Sequence, residues 1–313
     1  MFLFQVLFLC FKKISKCLLQ ILLGKIKFIL QFMGGLRVIY KLQKKNYQRV
    51  RALLQTTEQK NDLTLNAMIN GTNRGTIYVD DIEKPRTAMI DVTGVITMFI
   101  GDATNEKFIP PLRDFIDNQL KEDTYESCGG THFLTVVKEE SWEKALLEVI
   151  SHKDFEIDYE WYYRFDESCF YSLKESYKPL PEGYVIRRID ADVISNDPDE
   201  VMSDVLKEFW YSVEDFLEKG FGYCVMKEGR IVSACLSCCV NGKGHEISVE
   251  TYDDEEQNKG LATSVCAVYL EHCIERGLVP HWSTLETNIE SKQLAKKLGF
   301  KFEAKSKTLE FEF

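Results

Sequence analysis

No uncharged apolar run in this chain reaches the roughly 18–20 residues that a membrane-spanning helix needs. The opening is apolar, but Lys12, Lys13, Lys16, Lys25 and Lys27 interrupt it. Secretory features are missing too: the cations follow the first apolar run, and no small-residue cleavage site closes it. Acid is absent from residues 1–51, which hold eleven Lys or Arg. The other 28 basic residues face all 49 acidic ones, a net of −21, against −10 for the whole chain. That balance argues against a nucleic-acid partner. Proline is sparse at 7 and glycine numbers 18, which excludes collagenous and low-complexity chains. The 10 cysteines follow no regular framework and read as reduced thiols in a reducing, cytoplasmic compartment. P-loop, HExxH and Ser-His-Asp patterns are absent. Cys235 and Cys238 form a C-x-x-C with no second pair, which reads as small core residues of a strand, so no metal is expected.

What is present is a globular composition: 45% apolar, 12% aromatic and 28% charged residues. The length of 313 residues suits about two domains. Residues 1–32 form a basic apolar extension. On a helical wheel Lys12, Lys13, Lys16, Gln20 and Lys27 share about one third of the circumference. One reading is a helix in weak contact with an anionic membrane surface. The other is a non-native start ahead of Met33.

Residues 33–150 read as an α/β domain. Helices are expected over 42–60 and 63–70, and a strand over 75–81. One or two strands bent near Gly94 follow in 87–103. A helix at 106–120, a strand at 132–138 and a helix at 141–150 opened by Ser141 complete it. Residues 151–178 are rich in aromatics and read as a linker packed between domains. Residues 179–313 carry clearer signals. These are a strand at 183–190, a helix at 197–210 capped by Asp197, a helix at 212–220 and a hairpin within 222–240. A strand at 245–253, a long helix at 258–276, a strand at 281–287, a helix at 289–299 and closing strands in 302–313 follow.

The chemically informative stretch is Val249-Glu250-Thr251, then Gln257-Asn258-Lys259-Gly260-Leu261-Ala262-Thr263. A strand ends, an acidic loop turns, and a glycine opens a helix. The first amides of a helix lack internal partners and stand at the positive end of its dipole. A pyrophosphate can dock there, and Gly260 and Ala262 are small enough to admit it. Downstream, Asn288-x-x-Ser291-x-x-x-Ala295-x-x-Leu298-Gly299-Phe300 follows a strand at the matching distance. On these residues the sequence resembles the GCN5-related N-acetyltransferase (GNAT) superfamily. Its signature is (Arg/Gln)-x-x-Gly-x-(Gly/Ala), followed by an Asn-bearing helix that ends in Leu-Gly-Phe. The resemblance covers about residues 179–313. From Met33 onward, by layout and by pieces such as Gly75-Thr76-Ile77-Tyr78-Val79-Asp80-Asp81, the chain is similar to the Firmicute GNAT acetyltransferase family that includes zwittermicin-resistance-type proteins.

The resemblance implies an α/β (α+β) fold: a central mixed, mostly antiparallel sheet flanked by helices, with residues 179–313 as the acetyltransferase domain. Residues 75–150 repeat the element order of 222–299, so the N-terminal domain reads as a degenerate copy. The resemblance also implies acetyl-CoA as co-substrate, lying in a splay between 245–252 and 281–287. Its pyrophosphate would rest on amides of Gln257, Asn258, Lys259, Gly260, Leu261 and Ala262, with the Thr263 hydroxyl added. Its pantetheine would pair with the backbone of Val249 and Thr251. Asn288 would reach the pantetheine, with Ser291 retained beside it. The implied reaction is direct acetyl transfer to the primary amine of a small molecule.

Glu246 and Glu250 are the base candidates. Four apart in a strand, they share a face, and such a residue serves if burial raises its pKa. Glu286 and His281 follow them. Many family members carry a general-acid Tyr where this chain has Ala295. That departure favours the alternative of a non-catalytic acyl-CoA-binding or sensing module. The acidic balance suits a cationic acceptor such as an aminoglycoside-like or polyamine compound. The acceptor itself and the oligomeric state are not specified by the sequence.

Overall fold

Alternation of inward and outward side chains along the extended segments produces twelve strands among the described residues, joined edge to edge in one sheet. The computed structural model describes residues 39–55 and 57–313, so both readings of residues 1–32 lie outside it. The strands are β1 (Tyr40–Lys41), β2 (Thr76–Val79), β3 (Thr87–Val92), β4 (Ile96–Gly101), β5 (His132–Val137), β6 (Glu156–Phe165), β7 (Tyr184–Arg188), β8 (Gly222–Lys227), β9 (Arg230–Asn241), β10 (Gly244–Thr251), β11 (Val279–Leu285) and β12 (Phe300–Glu312). Their order in space is β1-β2-β3-β4-β5-β12-β6-β11-β10-β9-β8-β7. The pairs β4–β5 and β10–β11 are parallel, and the other neighbours are antiparallel. This is the mixed, mostly antiparallel sheet that the sequence implied.

The helices are α1 (Arg51–Gln55), α2 (Leu63–Asn70), α3 (Ile109–Phe115), α4 (Lys121–Cys128), α5 (Glu140–Val149), α6 (Glu167–Lys174), α7 (Ala191–Ser195), α8 (Val201–Phe209), α9 (Val213–Lys219), α10 (Leu261–Arg276) and α11 (Ile289–Lys297). The element order repeats. The antiparallel meanders β2-β3-β4 and β8-β9-β10 are each followed by a helical crossover to a parallel strand, β5 or β11. A helix and a last strand, β6 or β12, then follow. The last strands are exchanged: β6 pairs with β11 of the second half, and β12 pairs with β5 of the first.

Residues 151–178 therefore contain a ten-residue central strand and α6, where the sequence reads as a packed linker. Trp161 and Phe165 pack towards α10 with Tyr163, while Glu160 and Tyr162 face the other way. A strand paired on both edges carries large side chains on both faces, and this masks its period of two. Other boundaries differ locally. Residues 42–60 break into 3-10 turns at Lys44–Val50 and Glu58–Asn61 around the short α1. The helix begun at α3 runs through a π turn, Ile116–Leu120, into α4, and stops at Gly129 with φ +71. Helix α5 starts at Glu140 after Glu139, so Ser141 is not its cap. The Asp197 carboxylate accepts from the Met202 amide at 2.9 Å, but α8 starts only at Val201, and the unexpected α7 is capped by Asp190.

Helix α10 covers one face of the second-half sheet, burying Cys266, Leu270 and Cys273 against Cys235, Ile247 and Trp282. The other face is closed by Met202, Leu206, Trp210 and Phe216 from α8, α9 and the turn between them. Cys235, Cys238, Cys239, Cys266 and Cys273 are buried free thiols. Among the described residues no helix is long and apolar enough to cross a membrane. Nor is any group of three His, Cys, Asp or Glu among them placed to hold a metal ion.

Candidate active site

Strands β10 and β11 pair only from Gly244↔Val279 to Glu246↔His281. A register shift against β9 falls between Glu246 and Ile247, and beyond it β10 and β11 run on without pairing each other. The Tyr252 amide donates to the Val232 carbonyl of β9 at 3.1 Å. Successive strand residues direct their backbone groups to opposite edges. Glu250 and Ser248 thus also bond towards β9, and Val249 and Thr251 turn their N–H and C=O groups into the gap. Two cavities flank that gap.

The first, of about 370 Å³, lies at the start of α10 and is lined by Thr251, Asn258, Gly260, Leu261, Ala262 and Thr263, together with Lys178 and Lys297. Gly260 is the N-cap of α10 with φ +84, a conformation that costs other residues free energy. A Cβ there would meet nothing within 4 Å, so backbone conformation and not crowding demands the glycine. No side chain caps α10 and no acid stands in its first turn. The leading amides are therefore open to an anion. Lys297 donates to the Thr263 hydroxyl at 3.1 Å.

The acidic loop is neutralised from within. Glu256 accepts from Lys227 at 2.8 Å, from the Tyr184 hydroxyl and from Lys259 at 2.9 Å. These donors, Lys227 first, hold its carboxyl down at about 2. Lys259 is thus turned towards Glu256, and the Gln257 side chain is tied back to Asp254 at 2.9 Å. Neither side chain lines the cavity. Ser291 lines neither cavity. Its hydroxyl accepts from Trp282 Nε1 at 3.1 Å, and its amide donates to Asn288 Oδ1 at 3.0 Å. Asn288 is therefore the N-cap of α11, and it also borders the second cavity.

The second cavity, about 350 Å³, lies where β10 and β11 separate and is lined by residues of both halves. Glu246, Ser283 and Asn288 come from the second half, and Lys138, Glu160 and Tyr162 from the first. Glu246 Oε1 is buried without a hydrogen-bond partner. Burial pushes the Glu246 carboxyl up to about 7, against the pull of a Ser283 hydrogen bond and helped by the nearby Glu160 and Asp62 carboxylates. Burial also raises Glu160, with Ser283 pulling the other way. Lys138 forms an ion pair with Asp62 and lies 4.6 Å over the Tyr162 ring. Burial works against the Lys138 ammonium, but Asp62 and Tyr162 together outweigh it and the pKa is raised. Burial drives the Tyr162 hydroxyl up to about 12.

Of the two base candidates, Glu246 lines the second cavity and Glu250 lines neither of the two. Glu250 shares its strand face but stands roughly 13 Å further along, exposed and beside Glu208 of α8. Glu286 is paired with Lys305 at 3.3 Å. Sequence reasoning missed Glu160, Tyr162, Lys138 and Ser283. The available signal was Glu160 itself, a charge inside an aromatic run.

The corresponding place in the first half is closed to a phosphate. Phe108 occupies the N-cap of α3, and Pro110 and Pro111 remove amides from its first turn. Glu106, Glu140 and Glu148 line the adjoining cavity.

The sequence profile of the GNAT acetyltransferase family matches residues 51–309. YdfB of Bacillus subtilis (strain 168), an uncharacterised N-acetyltransferase, is 29% identical over 267 residues, which is 84% of this chain and 95% of its own. The crystal structure of a GCN5-related N-acetyltransferase-like protein from Streptococcus suis 89/1591 is 23% identical, covers 85% of this chain and 98% of its own, and has a TM-score of 0.61. A tandem GNAT protein from the clavulanic acid biosynthesis pathway is 10% identical, covers 88% and 98%, and has a TM-score of 0.53. These two structures share the fold. The profile match spans both halves of the sheet and the loop that opens α10, and the chain belongs to the GNAT acetyltransferase family.

Proposed function

We propose that this chain transfers the acetyl group of acetyl-CoA directly to the primary amine of a small molecule, with Glu246 as general base. The observation that carries this reading is the partnerless Glu246 oxygen at the point where β10 and β11 separate. Open amides at α10, an acid-free first turn and the Val249 and Thr251 backbone fit the co-substrate on the other side of the gap. Acetyl-CoA supplies a thioester carbonyl and a thiol leaving group.

Glu246 accepts a proton from the incoming ammonium and so frees the nitrogen lone pair. With its carboxyl near 7, it is ionised often enough at neutral pH to do this and basic enough to hold the proton. Asn288 Oδ1 is spent on its cap, which leaves its amide N–H groups for an acceptor at the cavity. The nitrogen loses two protons over the reaction, one to Glu246 and one, through water, to the departing sulfur. Ala295 is fully buried and carries no ionisable group, so that position offers no acid for the second transfer. This burial favours a second reading, an acyl-CoA-binding or sensing module without turnover.

Thermal unfolding of the full chain and of Gly260→Glu, with and without acetyl-CoA, tests the proposal. Ligand at a hundred times its Kd adds about 2.7 kcal/mol, or about 5 °C in Tm for a unit of this length. The shift should vanish in Gly260→Glu, whose carboxylate stands at the α10 amides. A shift with amine-dependent thiol release supports transfer. A shift without release from any amine supports sensing, and no shift in the parent overturns both.

A further inference from the structure

We infer that the acceptor is a monoamine with an apolar body, its ammonium held between Glu246 and Glu160 and its body lying along a wall supplied by the first half. This rests on the acetyl-transfer reading and narrows its substrate. The exchange of last strands sets Glu160 of β6 beside β11, where Leu285 is its register partner. Glu160 is 9% exposed and lines the same cavity as Glu246 and Ser283. The Glu246 oxygen left without a partner belongs to the same cavity.

Two carboxylates lining one largely apolar cavity repel each other, and one ammonium between them relieves both. The cation already lining the cavity, Lys138, is taken by Asp62. Beyond the carboxylates most of the first-half wall is apolar, formed by Val92, Ile96, Met98, Leu134 and Val136, with Thr64 the hydroxyl among them. An alkyl body gains by covering that wall. A second ammonium or a row of hydroxyls laid against that apolar wall would find few partners, at a cost. The polyamine and aminoglycoside acceptors that the overall charge suggests do not match this lining.

The test uses the full chain at saturating acetyl-CoA, reading thiol release with n-butylamine, n-hexylamine, spermidine and kanamycin. n-Hexylamine should show a KM at least tenfold below that of spermidine, with kanamycin inert. Glu160→Gln, which keeps a hydrogen-bonding group for Ser283, should raise the n-hexylamine KM tenfold or more and leave kcat within threefold. Val95 is exposed at the cavity wall, so Val95→Glu should fold normally and shift preference towards spermidine. Preference for spermidine or kanamycin in the parent, or an unchanged KM in Glu160→Gln, overturns the assignment. If no amine releases thiol, calorimetric titration of n-hexylamine decides, and absence of binding heat overturns it. The acetyl-CoA thermal shift, followed in parallel, reports separately on the co-substrate site.

Discussion

Glu246→Gln should make this protein both more stable at alkaline pH and inactive. The Glu246 carboxyl titrates near 7 in the folded chain, against the ordinary value of 4.5, because the fold buries it. Between those values the unfolded chain has released a proton that the folded chain keeps. The folded state then binds more protons, so stability falls as pH rises through the window. The contribution is whole below pH 4.5 and gone above 7. Its size follows from 1.36 kcal/mol per pH unit, about 3 kcal/mol in all. Glutamine has the same shape and no proton to lose.

The variant should therefore exceed the parent by about 1 kcal/mol at pH 5.5 and about 3 kcal/mol at pH 8.5, the latter about 5 °C in Tm. The charged groups that face Glu246 are Glu160 on β6, Asp62 ahead of α2 and Lys138 at the end of β5, and all remain in the variant. Scanning calorimetry at the two pH values reads the difference. In the parent, kcat/KM should rise about tenfold per pH unit below 7 and level off above it. In Glu246→Gln it should be lower by about two to four orders of magnitude, with no such rise. A Tm difference that is the same at both pH values, or an active variant with the pH limb intact, refutes the role given to this carboxyl.

Ser291→Ala strips the Trp282 indole N–H of its acceptor and should cost about 1–3 kcal/mol. Its acetyl-CoA thermal shift should be unchanged, and a lost shift at full stability would instead put Ser291 on the co-substrate. Ala295→Tyr forces a phenol into a fully buried place among Leu298, Phe300 and Trp282. It should lose about 1–3 kcal/mol in urea unfolding, and a raised kcat would contradict the reading that position 295 cannot present an acid. Lys138→Met leaves the Asp62 carboxylate without its ion-pair partner and should cost about 3–5 kcal/mol. Asp62→Asn combined with Lys138→Met should recover most of that, since Asn can still cap α2 by accepting from Leu65; additive losses would show that the pair does not act as one.

The glycine-opened loop ahead of α10 was legible because its cues are local. Gly260 ends the loop at positive φ, Ser212 and Asn288 cap their helices, and the Lys227-Glu228-Gly229-Arg230 turn closes a hairpin. Each depends on hydrogen bonds spanning a few residues, which residue type alone can specify. The same local reading could not tell that the Gln257 side chain would be tied to Asp254 or the Lys259 side chain to Glu256. Those choices depend on Tyr184 and Lys227 arriving from distant strands.

By itself, then, the sequence determined most elements of the second half, the short α7 excepted, the helix N-terminus that faces the gap, and a glutamate on the strand beside it. Tertiary structure alone decided that a Glu246 carboxyl oxygen is buried and Glu250 exposed, although both lie on one strand face. It also decided that an aromatic segment which reads as a linker becomes the central strand β6 and carries Glu160 into the cavity. The physical reason is sequence separation. β6 meets β11 and β12 only after more than a hundred intervening residues have folded, and nothing in its own period distinguishes a paired central strand from a packed aromatic linker.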